Sequence, residues 1–216
     1  MRPNRFEQFA YLDEVLGVTR VRWDGRAVQL RPLQGPTRTL TPLGGAFFRA
    51  ADRREATHAL LRSADDQRII TDGVRTFERV SPLAVYVRML SAATGLAALL
   101  YLLIVGGIRS VRSLRRGTWQ LEPLRWPVIC LALLLSAPAL YLSQSVLAIG
   151  DPTPANLVLA VLTGALPLTL LVAGVHRVRA GTGGRTARMD IFALGGALQW
   201  CAVLASWGLL PLALWR

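Results

Sequence analysis

Met89-Leu-Ser-Ala-Ala-Thr-Gly-Leu-Ala-Ala-Leu-Leu-Tyr-Leu-Leu-Ile-Val-Gly-Gly107 contains no charged side chain. It is the core of an apolar stretch from Leu83 to Gly107, and three more stretches follow: Trp126 to Ile149, Ala155 to Val175, and Ile191 to Trp215. Each charge-free core has about 18 residues or more, enough for a helix to cross roughly 30 Å of hydrocarbon. A core helix of a water-soluble domain keeps a polar face, whereas these runs are apolar all round. The pattern predicts an integral membrane α-helical bundle of four transmembrane helices over residues 83–216, preceded by a small domain over residues 1–82.

Charge orients the bundle. The chain carries 25 basic residues, all Arg, against 13 acidic ones, a formal net charge of +12. The loop after the first run carries Arg109, Arg112, Arg115, Arg116 and Arg125 against Glu122. The loop after the third carries Arg177, Arg179, Arg185 and Arg188 against Asp190. The intervening loop, 150–154, has no basic residue. Short cytoplasmic loops collect Arg, so both Arg loops are expected in the cytoplasm and both termini outside. Arg79 and Arg88 lie on the outer side and are outweighed by the loop arginines. The expected location is a cell membrane, the inner membrane of a bacterium, with the lipid bilayer as partner. Nucleic acid is not expected, because the basic residues lack interleaved aromatics.

Within the runs, Ala193, Ala197, Cys201 and Ala205 recur every fourth residue, a small-residue stripe suited to close helix packing. Pro138 and Pro167 are expected to kink their helices. Trp126 and Trp215 sit at run ends, where indoles favour the interface. Gln144 and Gln199 read as a hydrogen-bonded pair between helices rather than a transport site. The absence of ionisable groups in the cores argues against ion or proton transport. Cys130 and Cys201 read as small apolar residues rather than a disulfide or metal pair. His176 reads as interfacial. Gly181-Thr-Gly-Gly184 reads as a flexible connector, since the preceding strand and Lys of a phosphate loop are missing.

The first 82 residues follow a different period. Residues 6–16 fit a short helix or a strand. Val18 to Trp23 and Arg26 to Arg31 flank Asp24-Gly25, a hairpin signal that places Val21 and Trp23 on one face, with Val28 and Leu30 sharing a face on the partner strand. A Pro/Gly-rich connection follows, then a turn at Gly44-Gly45 and a strand at Ala46 to Arg49. Thr57 to Arg62 and Gln67 to Thr71 flank a turn at Ser63 to Asp66, and Val74 to Val80 closes the series. The spacing predicts about six short strands in an antiparallel β-meander. His58 reads as a half-buried or surface imidazole, without a second ligand or nucleophile near it in sequence.

The order Leu40-Thr-Pro-Leu-Gly-Gly-Ala-Phe-Phe-Arg49, Ala56-Thr-His-Ala-Leu-Leu-Arg62 and Asp72-Gly-Val-Arg-Thr-Phe-Glu-Arg79, followed by apolar helices, resembles the C-terminal part of membrane-attached beta-lactamase-related serine hydrolases, relatives of penicillin-binding proteins. The resemblance covers roughly residues 10–110. It implies a β-rich module leading into membrane helices behind a hydrolase domain. The family's Ser-x-x-Lys nucleophile cannot exist in a chain without Lys, nor can a phosphate-loop lysine or a Schiff base. No catalytic, cofactor-binding or metal-ligating residue is therefore expected. The N-terminus lacks the apolar segment of a signal peptide, which fits a chain parted from an N-terminal enzyme.

The expected function is a non-catalytic membrane anchor or accessory module, with a hydrolase domain or another membrane protein as partner. The alternative is a membrane protein that binds a lipid or apolar ligand. The orientation is checked by reporter fusions, which should score cytoplasmic at Gly117 and Gly183 and external at Thr153.

Overall fold

The computed structural model describes residues 17–62, 68–72, 76–118, 122–142, 151–181 and 184–213. The chain divides into two compact units, with the division along the chain falling between Arg88 and Met89.

The first unit is one antiparallel sheet. Its strands are β1 (Thr19–Trp23), β2 (Val28–Pro32), β3 (Arg38–Gly44), β4 (Phe47–Ala50), β5 (His58–Arg62), β6 (Arg68–Thr71) and β7 (Thr76–Glu78). Each pairs with the next in chain order, the meander read from the sequence, with seven strands rather than six. The added strand is β3, in a stretch where the sequence signalled only a Pro/Gly-rich connection and the turn at Gly44-Gly45. The sheet accommodates Pro42 opposite Phe48, beside a register shift between Pro42 and Gly44.

The first hairpin also differs in detail. Trp23 pairs with Val28 and Val21 with Leu30, so the expected faces are observed, but the loop holds residues 24–27 rather than two residues. The Asp24 carboxylate accepts hydrogen bonds from the backbone N–H of Arg26 and Ala27 at 3.0 and 2.7 Å, closing the longer turn. Residues 6–16 and the turn at 63–66 lie outside the described residues, although β5 and β6 pair antiparallel on either side of that turn.

Cross-strand partners share a face. Following the register, Val21, Trp23, Val28, Leu30, Leu40, Phe48, Ala50, His58, Leu60, Ile70 and Phe77 all lie on one face. Only its middle is closed: Val28, Leu30, Leu40 and Ala50 form a buried cluster with Phe48 against it. Trp23 at the β1 edge is 55% exposed. Arg20 and Arg22 on the same edge strand are exposed charges that discourage edge-to-edge pairing.

The second unit is helical. Helix α1 (Pro82–Tyr101), whose first seven residues fall before the division, runs through a π-helical turn, Leu102–Gly106, into α2 (Gly107–Arg115). Helices α3 (Arg125–Tyr141), α4 (Pro154–Arg179) and α5 (Arg185–Ser206) follow. Three of these segments are long and apolar enough to cross a membrane: Pro82–Arg115, α4 and α5. The fourth, α3, is a shorter apolar helix of 17 residues over its described length, and residues 143–150, with Gln144, lie outside the described residues.

Two expectations about helix ends are corrected. Most of the Arg-rich loop residues are helical: Arg109, Arg112 and Arg115 lie in α2, Arg177 and Arg179 in the last turn of α4, and Arg185 and Arg188 at the start of α5. Cations favour helix C-termini, so Arg residues extend α2 and α4 beyond the apolar runs. The last run does not stay helical to Trp215. Helix α5 stops at Ser206, where Gly208 adopts φ of 70° and its N–H bonds the Ala205 carbonyl while the Leu209 N–H bonds that of Leu204. This left-handed cap ends the helix, and the chain turns so that the Leu212 N–H reaches the Thr163 hydroxyl at 2.9 Å.

Close approach of α1 and α5 depends on Gly95, where a Cβ would lie 2.4 Å from the Trp200 side chain. Ala193, Ala197 and Cys201 are buried in the bundle core, whereas Ala205 is exposed. Gln199 on α5, read as pairing with Gln144, donates instead to the Ser91 hydroxyl on α1. Helix α4 continues through Pro167 and α3 through Pro138. Trp126, in the first turn of α3, is half exposed, and Trp215 lies outside the described residues.

Candidate functional site

The Arg-rich end of the bundle is organised by a carboxylate. Asp190 sits in the second turn of α5 and has no exposed surface. The Arg109 guanidinium donates from one nitrogen to both of its oxygens, at 2.9 and 2.8 Å. The Tyr101 hydroxyl donates to Oδ1 at 3.0 Å. Arg177 Nε lies 3.2 Å from Oδ2 without hydrogen-bond alignment, so that attraction is Coulombic rather than directional. The second terminal nitrogen of Arg109 donates to Glu122 at 3.1 Å. Two cations and two anions thus balance, contributed by α2, α4, α5 and the segment before α3.

The π turn makes this geometry possible. In an uninterrupted α-helix, residues eight apart such as Tyr101 and Arg109 lie about 80° apart around the axis. The extra residue absorbed by the π turn takes up about 100°, leaving them about 20° apart and able to reach one carboxylate.

The opposite end of the bundle carries a neutral counterpart. Asn156, fully buried, accepts from the Tyr141 hydroxyl at 2.6 Å and donates to the Asp151 carbonyl at 2.6 Å. Thr153 caps α4, its hydroxyl accepting from the Asn156 N–H, and Pro154 occupies the first turn.

The sheet has a polar cleft of about 560 Å³, lined by Arg38, Asp52, Arg53, Glu55, His58 and Asp72 among others. His58 is 6% exposed, which corrects its reading as half-buried or surface: the register sets it beside Phe48 on the apolar face. Thr57 Oγ1 accepts from the Ala50 N–H at 3.0 Å and lies 2.9 Å from His58 Nδ1. We assign the Thr57 hydroxyl as donor to the neutral ring, which puts the ring proton on Nε2. Burial pushes the imidazole below its ordinary 6.5; Asp72 opposes that shift and Arg38 adds to it. The cleft mixes cations and anions, so it selects neither sign of ligand.

The residues read as topology determinants divide into two groups. Arg109 and Arg177 turn inward to Asp190, while Arg112, Arg115, Arg116, Arg179, Arg185 and Arg188 are exposed. His176 is exposed near them. Tyr101, Glu122 and Asp190 carry the cluster and were not legible as site residues. Their one signal is scarcity: Glu122 and Asp190 are two of only three acidic residues after position 89. Cys130 and Cys201 are buried free thiols. Among the described residues no group of His, Cys, Asp and Glu is arranged to hold a metal ion.

Fold and composition define a membrane protein with a β-meander unit. No protein-family model, curated protein or solved structure matches the chain.

Removing one partner of a buried ion cluster leaves uncompensated charge at a cost of about 3–5 kcal/mol. Asp190→Ala should therefore lower the unfolding midpoint of the detergent-solubilised chain sharply, whereas Arg112→Ala at the exposed α2 surface should leave it nearly unchanged. For His58 the unfolded chain takes up the proton at higher pH than the folded chain. Its stabilising contribution is complete above about pH 6.5 and is lost as pH falls below that value. The thermal midpoint should drop as pH falls below about 6.5, with His58→Gln flattening the slope.

Proposed function

We propose that this chain is a non-catalytic membrane module in which four spanning helices hold a β-sheet at the outer surface of a bacterial inner membrane. The carrying observation is the union of a charge-locked apolar bundle with a sheet of separate core. The bundle's ionised core residues are engaged in balancing one another. The sheet buries the centre of its apolar face and leaves Trp23 on that face and Phe47 on the other more than half exposed. Exposed aromatics on both faces of the sheet suit it to positioning a hydrolase domain or another partner. The likeness to the tail of beta-lactamase-related serine hydrolases supports this role through its residue motifs alone.

A hydrolase in this chain would start from the one hydroxyl–imidazole contact described, Thr57 with His58. The full chain, purified in detergent and reconstituted, is expected to show no turnover of acyl or peptide esters above background. Turnover that disappears in His58→Ala would overturn the proposal.

A further inference from the structure

An apolar groove of about 410 Å³ runs along α4 and α5 within the helical unit. Its size falls in the range of roughly 300–1,000 Å³ found for small-molecule sites. Leu170 and Leu194, nearly fully buried, form the floor. Leu171 and Val175 flank it. Gly174 and Gly195 open it, since a Cβ added at either would meet nothing within 4 Å. Gly195 thus differs from its neighbour Gly196, which packs against Ala98 and Thr94 of α1.

The groove is polar at only one end. Arg179, in the last turn of α4, lines it and is exposed. Among the described residues Arg179 makes no ion pair, and Asp190, one turn before the groove's Leu194, is already engaged by Arg109 and Arg177. From Leu170 to Arg179 there are nine helical steps of about 1.5 Å, or roughly 13 Å. That is close to half of the roughly 30 Å hydrocarbon thickness, the depth of one leaflet.

We propose that this groove is a binding site for one acyl chain of an anionic phospholipid from the leaflet at the Arg-rich end, with the lipid phosphate on Arg179. A guanidinium matches phosphate geometry with paired N–H donors. The apolar floor and the glycine openings accept a methylene chain without burying a polar group. A symmetric second copy would bring its own Arg179 to the same end, so charge favours an anion over a self-interface. The site does not depend on the sheet or on the anchoring role proposed above.

The test uses the full chain in detergent, titrated with phosphatidylglycerol or phosphatidylcholine of matched chains and read by native mass spectrometry. The wild type should retain phosphatidylglycerol roughly tenfold better, the discrimination expected of one charge-assisted contact. Gly174→Leu/Gly195→Leu fills open space, so it should fold with an unchanged unfolding midpoint and lose the retained lipid. Arg179→Gln should keep chain binding and lose the head-group preference. Equal retention of phosphatidylglycerol in the double glycine variant overturns the proposal. So does a preference that survives Arg179→Gln, or a wild-type dimer that the glycine variant dissociates.

Discussion

A carboxylate without exposed surface cannot stay ionised unless its charge is met, and Asp190 meets that condition with groups from separate helices. In lipid, apolar helix surfaces gain little by touching one another, because the tails are as apolar as the side chains. Van der Waals fit and polar contacts must then specify the arrangement. The bundle has both. Gly95 lets α1 approach α5 at Trp200, and the Asp190 cluster ties α2, α4, α5 and the entry to α3 at one end. Asn156 and Tyr141 provide a neutral tie near the other end.

The arginines serve two purposes that a charge count merges. Arg109 and Arg177 are consumed in the bundle, whereas Arg112, Arg115, Arg116, Arg179, Arg185 and Arg188 remain at the surface. Only the second group is positioned to meet anionic head groups. The π turn belongs to the inward role, since it brings Tyr101 and Arg109 onto one line above Asp190.

The sheet follows a different economy. Its register sets an apolar face across all seven strands, yet only the centre around Leu40 is closed. His58 is drawn into that face by strand alternation and made tolerable by the Thr57 hydroxyl. A polar residue at an inward position exchanges hydration for a single hydrogen bond, and its protonation becomes coupled to folding.

Much of this was legible in the residues. The apolar runs mark the membrane helices because hydropathy is a local sum, and the face shared by Val21 and Trp23 follows from a period of two. The strand at Arg38 to Gly44 was not legible, because Pro42 reads as a breaker until the partner strand supplies a register shift. The end of α5 was hidden because Gly208 lies within an apolar run that hydropathy treats as continuous. Asp190 could be seen only as one acid among loop arginines. Its burial, its reach to Arg109 and Arg177, and the π turn that aligns Tyr101 depend on residues 13 to 89 positions away in the chain. The sequence by itself therefore determined where the chain resides and how its two halves differ. The tertiary structure alone decided which charges face inward, because that depends on contacts between helices that local composition does not encode.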